Sequence, residues 1–528
     1  MSDAPEASTA GEAGLARSGA VVAAGTAASR ITGLVRLVVQ GWILGELAAF
    51  DFANTVPNLL FDLLAGGVLT ATLVPVFVEN DRRGDAEASN AVWTITSALL
   101  LGVTVLGVAL APVIALIGPT SDAEALYRTF LILFIPQVFF YGLTTLASSA
   151  LNARRRFAAA AFAPVVNNVV AIAVLVIVGR AIAPDTSSDA LTDQLLDDPA
   201  LLWFLGLGTT AGIALQAAVL WPAMRRVGIA VRVRFEPGNP AVRQVLRLSG
   251  WVFAYVVTNQ VAIMVFLGLA TAVEDEIGAP AYTRSWQFFQ LPYGLLAASI
   301  ITAAVPELAR LAQSDEHAAF RNRVLGALRL TVLVTVPAAV AFGVLGRPLV
   351  SAFFEHGNFG PAATDLTAQM LGAFSVGIVF FSVYLIGIRS FYAARDTRRP
   401  FWINLVESVL QVAFGLALLP VLGVPGLALG FSLAYVLGSA LVFWVLDRQT
   451  GGLPWLDTVR PVLKMAAAGA LMAAVMLAVS AGVGGDAGSE AVVRLAVVLP
   501  VGALVYLGSC WALRVDDLRA LVSAFRRS

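Results

Sequence analysis

Fourteen apolar runs, each long enough to cross a bilayer as a helix, follow one another along this chain of 528 residues. At about 20 apolar residues per crossing, their limits are 17–46, 50–79, 91–118, 124–151, 158–182, 200–223, 245–273, 279–310, 325–354, 364–393, 401–421, 424–446, 461–483 and 490–513. The loops between them alternate in charge. Connections after even-numbered runs hold Arg82 and Arg83; Arg154, Arg155 and Arg156; Arg225, Arg226, Arg232 and Arg234; Arg310, Arg321 and Arg323; Arg395, Arg398 and Arg399; and Arg448 and Arg460. Connections after odd-numbered runs hold acids instead, among them Asp122, Asp193, Asp275 and Asp486. Arginine-rich loops stay on the cytoplasmic side, so both termini are expected there. One missed helix would invert every later loop, and none is inverted. With 59% hydrophobic and 13% charged residues, against about 25% charged in soluble domains, the expected class is an all-α polytopic membrane protein.

The order of the runs suggests an internal duplication. Leu151-Asn152-Ala153-Arg154, after run four, is similar to Phe391-Tyr392-Ala393-Ala394-Arg395, after run ten. Leu69-Thr70-Ala71-Thr72-Leu73-Val74-Pro75, closing run two, is similar to Ile301-Thr302-Ala303-Ala304-Val305-Pro306, closing run eight. Both pairs are displaced by six runs. Six is even, so the halves insert in parallel, and such repeats place a substrate site in a central cavity between them near the midplane. The expected organisation is a disordered cytoplasmic tail at 1–16, a six-helix half at 17–223 and a cytoplasmic linker at 224–244. A second six-helix half at 245–446, two further helices at 461–513 and a cytoplasmic tail at 514–528 complete it.

Charges within the runs point to function. A charged group at the bilayer centre costs about 2.5–3.5 kcal/mol on insertion scales, yet Arg30, Arg36, Asp51 and Asp62 lie inside the first two runs. Asp51, Asn54, Asn58 and Asp62 are spaced three, four and four apart, which places them on one narrow helical stripe. On a membrane helix such a stripe reads as the wall of a hydrated cavity. The competing reading is that Arg30 and Asp62 merely neutralise each other between helices. Asn259, Gln260 and Glu407 are further polar residues within spans; Glu407 is a candidate proton or cation site, with an interhelical hydrogen bond as its alternative. Cys510 is the single cysteine, and His317 and His356 are the two histidines. A thiolate cluster, a histidine metal site and a hydrolytic triad are therefore not expected. No loop could house a catalytic domain, and neither a cofactor nor a nucleic-acid partner is expected.

In motif order the chain resembles the MurJ/MviN-type lipid II flippases of the multidrug/oligosaccharidyl-lipid/polysaccharide exporter superfamily, in an actinobacterial-like version. The resemblance is carried by Ser29-Arg30-Ile31-Thr32-Gly33-Leu34-Val35-Arg36, Ala53-Asn54-Thr55-Val56-Pro57-Asn58-Leu59 and Gly66-Gly67-Val68-Leu69-Thr70. In the second half it rests on Phe289-Gln290-Leu291-Pro292-Tyr293-Gly294, Gly357-Asn358-Phe359 and Phe391-Tyr392-Ala393 with Asp396-Thr397. The resemblance implies that Arg30 and Arg36 face a central cavity and are required for function. The chain also departs from the family pattern. Ala48 stands where many relatives have an aspartate, Phe61 and Asp62 replace an arginine pair, and Gly66 replaces a glutamate. Gln287 replaces a cavity arginine, for which Arg284 lies one turn away. Gln411 and Gly415 occupy positions where some relatives bind sodium, which puts that site in doubt.

The substrate implied by the resemblance is lipid II, an undecaprenyl pyrophosphate bearing a disaccharide-pentapeptide, moved from the inner to the outer leaflet by alternating access. Guanidinium groups bind phosphate oxygens bidentately and stay charged, which suits Arg30, Arg36 and Arg284. Asn54, Asn58, Gln287 and Gln290 would hydrogen-bond sugar and peptide groups, and Asp51 and Asp62 would balance the arginines when the cavity is empty. Membrane lipids and cell-wall synthesis enzymes are the other expected partners. The alternatives are a flippase for another lipid-linked glycan and a non-transporting cell-wall scaffold of the same fold.

Overall fold

The computed structural model describes residues 4–45, 47–64, 70–115, 123–154, 156–182, 186–274, 277–312, 316–394 and 396–519. For residues 4–23, 56, 59–64, 70–72, 75, 123, 188, 244, 246–250, 252–253, 295, 299, 302–303 and 306 the description is of backbone alone. The Asp62 side chain, Gly66, Gly67, Arg155 and Asp275 thus lie outside it.

All regular structure among these residues is helical, in two compact units, Met1–Gln260 and Val261–Ser528. The first contains α1 (Ala4–Leu44), α2 (Ala48–Leu64), α3 (Thr70–Arg83), α4 (Ala86–Ile114), α5 (Ala123–Phe134), α6 (Gln137–Ala153), α7 (Phe157–Val178), α8 (Ser188–Asp197), α9 (Pro199–Ala218), α10 (Leu220–Arg226) and the start of α11 (Pro240–Val273). The second continues from α11 into α12 (Gly278–Pro292), a π-helical turn (Tyr293–Ala297), α13 (Ala298–Ala312), α14 (His317–Phe354), α15 (Pro361–Ala393), α16 (Arg398–Leu422), α17 (Pro425–Thr450), α18 (Leu456–Ser480) and α19 (Gly488–Ala512). Eleven helical stretches among the described residues are long and apolar enough to cross a membrane. Leu101, Val105, Leu106 and Val113 on α4 are 51–60% exposed, an apolar face that suits lipid and not water.

Three details differ from the sequence expectation. The backbone is already helical from Ala4, within the tail expected to be disordered, because Ala and Glu there are strong helix formers. The boundary between units falls inside α11 instead of in the 224–244 linker. The reason is that the linker and the first turns of α11 pack on the first unit. Val242 and Val245 join a buried cluster with Leu73, Trp93, Leu146 and Met224. The extended stretch after Gly228 is strapped to α4 by Arg232 N–H donating to Asn90 Oδ1 (2.9 Å) and Arg234 N–H donating to Thr94 Oγ1 (2.8 Å). Arg154, at the end of α6, holds the strap's base by donating to Val227 O (2.6 Å) while gripping both carboxyl oxygens of Asp81.

Third, several predicted runs are broken helices. Run 124–151 divides at Pro136 into α5 and α6; proline cannot donate to the ladder. The Thr210 hydroxyl on α9 donates to the freed Leu133 carbonyl (2.7 Å), and Gln137 Nε2 donates to the same hydroxyl (3.1 Å). Run 50–79 is α2 and α3, with Pro57 inside α2. Run 279–310 is α12, the π turn after Pro292, and α13.

Within the first unit α2 packs on α5, α3 and α4 on α6, α5 and α6 on α9, and α7 on both α1 and α9. Within the second α12 and α13 pack on α15, α14 on α15, α15 on α17, and α16 on α17. In terms of the predicted runs, the pairings two–four, three–four, four–six and five–six recur as eight–ten, nine–ten, ten–twelve and eleven–twelve. Helices α18 and α19 pack on each other and on α14.

Candidate functional site

The first cluster of predicted site residues lies on α1 and α2. Helix α1 is set against α7 by Asn168, whose Nδ2 donates to Ser29 O (3.1 Å) and Thr32 Oγ1 (3.0 Å). Arg36 follows Thr32 by one turn and precedes Gln40 by one turn, so all three share a face. Arg30 and Arg36 are six residues apart and therefore about 120° apart around α1; they do not form one stripe. Both side chains are half-buried. The Arg36 Nε is buried with no hydrogen-bond partner among the described residues.

Gln40 was not among the sequence candidates, and it holds the cluster together. Its Nε2 donates to Asp51 Oδ1 at 2.6 Å, and both residues are buried, Gln40 at 8% and Asp51 at 6% exposure. The signal was available in the sequence: Gln40 is a lone amide one turn past Arg36 in an otherwise apolar run.

Along α2, Phe50 packs edge-on against Phe130 and Phe134 (5.3 Å each) and Phe52 against Tyr127 (5.4 Å), all three on α5. At 100° per residue Asp51 lies between those two phenylalanines, about 100° from each, with Asn54 and Asn58 within about 60° of it. Asn54 and Asn58 are half-buried. The Asn58 Nδ2 donates to Asn54 O (2.8 Å), and its Oδ1 accepts from the Tyr141 hydroxyl on α6 (2.9 Å). Tyr141 is a second partner that sequence reasoning missed; it lies 83 residues away, beyond any local pattern. Asp62 continues this register on the backbone of α2.

The second cluster is on α12. Arg284 is 1% exposed, and its guanidinium carbon lies 5.1 Å from the centre of the Phe359 ring. Phe288, one turn on, packs on Phe342, Phe353 and Phe354 of α14. Trp286 and Phe289 take a second face, among Phe374 and Phe381 of α15 and Phe431 of α17. Gln287 and Gln290 occupy the third and are half-buried. The structure thus sets Arg284 with the α14 side and the glutamines apart from it.

Glu407 is separate again, on α16, and fully buried at 0% exposure together with Asn404. Among the described residues no group of three or more His, Cys, Asp and Glu is placed to hold a metal ion. Chemically, the first cluster offers cationic donors and amides beside a buried carboxylate, a set suited to an anionic, sugar-bearing head group.

The sequence profile of the family described as lipid II flippase MurJ matches residues 45–492. A probable lipid II flippase MurJ of Rhizobium meliloti (strain 1021) is 28% identical over 440 residues, covering 80% of this chain and 79% of its own length. A solved lipid II flippase MurJ in an inward closed conformation superposes with a TM-score of 0.73 at 20% identity, covering 95% of this chain and 99% of that one. An inward-facing multidrug resistance MATE family transporter of the MOP superfamily gives 0.65 at 16% identity, covering 80% and 94%. Both structures share the fold. The chain belongs to the MurJ family of lipid II flippases.

Proposed function

We propose that this protein carries lipid II from the inner to the outer leaflet of the plasma membrane by alternating access, as a transporter and not an enzyme. Family membership supports the reading. The observation that carries it is the Arg36 guanidinium, half-buried with a donor that no described protein group accepts, one turn from the Gln40–Asp51 pair. A group of that kind is costly inside a membrane unless an anion or water meets it, and a pyrophosphate does so bidentately. Arg30, Arg36, Asp51, Asn54, Asn58 and Asp62 form the head-group site of the first half. Within the second half, taken by itself, Gln287 and Gln290 are the polar residues suited to a head group, with Arg284 holding the start of α12. The fourteen-span topology with both termini cytoplasmic, and descent from a six-helix duplication, belong to the same proposal; the matching helix pairings support the latter. Cell-wall synthesis enzymes are the expected protein partners.

The test is rescue of a bacterium depleted of its own lipid II flippase, with lipid II read at the outer surface. Rescue that is lost with Arg36→Ala, while the variant still inserts in the membrane, supports both the substrate and the site. Rescue undiminished by Arg36→Ala refutes the site. An inserted wild-type chain that binds and moves a different lipid-linked glycan, and not lipid II, refutes the substrate.

A further inference from the structure

Glu407 stands about 13.5 Å along α16 from its start at Arg398, at about 1.5 Å per residue, and so lies well inside a helix of 25 residues that is apolar enough to cross a membrane. Its side chain is 0% exposed, and both carboxyl oxygens are buried with no hydrogen-bond partner among the described residues. The adjacent Ser408 hydroxyl is likewise buried without a hydrogen-bond partner among the described residues. Around it α16 turns a polar edge into the packing against α15 and α17. Asn404, Glu407, Ser408 and Gln411, spaced as one helical face, are all at 4% exposure or less.

The groups facing Glu407 are uncharged. Gly438 on α17 leaves the space it fills: a Cβ there would lie 3.0 Å from Glu407 Cγ and 3.4 Å from Tyr384 Cδ2 on α15. The titratable residues packed nearby are Tyr384 and, beside it, Tyr435 of α17, whose rings are 5.2 Å apart. Helix α11 reaches α16 where Phe266 meets Gly415, and it carries no charge from 248 to 273. On α15 the charges are Asp365 near its start and the exposed Arg389; on α17 they are Asp447 and Arg448 in its last turn. An ionised carboxylate in such a place, without a counter-charge or donor, costs several kcal/mol, and the neutral acid is the form that avoids this.

We propose that Glu407 is a proton-binding site. It carries H⁺ while α15, α16 and α17 are packed around it, and releases H⁺ to water, leaving the carboxylate, when transport opens that packing. The inference rests on the transport reading and adds its coupling ion. A packed aromatic row connects the site to α12: Tyr384 to Tyr435, Tyr435 to Phe431 at 4.5 Å, and Phe431 to Trp286 at 5.1 Å. Trp286 is next to Gln287, so opening around Glu407 and movement of the proposed head-group contacts share one continuous packing.

The test uses the full-length purified protein and Glu407→Gln, which keeps the shape of the neutral acid. Infrared difference spectra at neutral pH should show a protonated carboxyl band in the wild type that Glu407→Gln lacks; no such band means an ionised Glu407 and overturns the proposal. Second, a Gln287→Cys probe should be labelled by a water-soluble thiol reagent with a pH dependence beyond that of the thiol itself. Glu407→Gln should remove the excess, and an identical profile in the two backgrounds overturns the coupling. Third, in proteoliposomes a tenfold proton gradient should change lipid II translocation by up to about tenfold, and Glu407→Gln should be insensitive to it. If the wild type moves no lipid II at all, the function reading fails, while the first two measurements still decide the proton site. Should Glu407→Gln not fold, the titration of the carboxyl band in the wild type decides it.

Discussion

The Gln40–Asp51 contact joins α1 to α2 beside the proposed head-group site, and its strength can be worked out and measured. Gln40→Leu leaves the Asp51 carboxyl, 6% exposed, without its 2.6 Å donor. Asp51→Leu leaves the Gln40 amide buried in turn. In membrane proteins a neutral interhelical hydrogen bond couples by about 0.6 kcal/mol, with about 1.7 as a maximum. A charged acceptor roughly doubles a hydrogen bond, so the pair should couple by about 1–2 kcal/mol. Each single variant should therefore be destabilised, whereas the double Leu variant, with both polar groups gone, should lose clearly less than the sum. Reversible unfolding in mixed micelles, followed by circular dichroism, gives the three differences. Additivity within about 0.5 kcal/mol would show that the two side chains do not depend on each other. If the double variant regains stability yet does not flip lipid II, Asp51 acts on the site as well as on the fold.

Further variants test other parts of the description. Arg36→Lys keeps the charge but loses the planar fork, and translocation should fall about tenfold, the worth of about 1.4 kcal/mol of head-group binding. Gly278→Ala should destabilise by about 1–3 kcal/mol or more, since the new Cβ would overlap the Ala270 carbonyl oxygen, a backbone atom. Gly508→Ala has nothing within 4 Å and should be neutral or slightly stabilising by melting temperature. Cysteines at Asp193 and Arg156 should label from outside and inside respectively, against a silent background because Cys510 is fully buried; the reverse pattern would overturn the topology. The hydrogen bond from Arg234 holds the Glu236 carboxyl below its ordinary value of 4.5. A depressed folded-state value means the strap's hold is complete above that ordinary value and is lost as pH falls through the lower one. Proteolysis within 228–237 should thus be unchanged from pH 7 to about 4.5 and rise only below it.

The residues with regular spacing were legible in the sequence. Apolar length made the helical class legible, and the three-and-four spacing of Asp51, Asn54 and Asn58 marks a stripe on α2 that its aromatic anchors Phe50 and Phe52 flank. What stayed hidden depends on partners distant in sequence. Thr210 completes the break at Pro136, and Tyr141 binds Asn58 across 83 residues. Neither is part of any periodic pattern on its own helix. The division inside α11 was hidden for the same reason, because Val242 and Val245 are apolar whichever unit they pack against. Arg284 shows the opposite limit. Its distance from Gln287 along the helix is less than one turn, so the two read as neighbours, yet Phe359 covers the first and leaves the second half-buried.

Helices α2 and α12 show how one helix can be both broken and exact in its rotation. A proline and a freed ladder make each of them easy to turn about its axis, while a site needs its polar side chains fixed. In both, rings that flank the polar residues supply the constraint: Phe50 and Phe52 against three rings of α5, and Trp286 and Phe289 among the rings of α15 and α17. Edge-to-face contacts are directional, so a turn of even one residue step, about 100°, would exchange Asp51 or Gln287 for an aromatic ring. The polar groups themselves cannot provide this, because their hydrogen bonds must remain exchangeable with a substrate. In each unit, therefore, the rings that flank the polar residues, and not the polar residues themselves, fix the rotation of the interrupted helix.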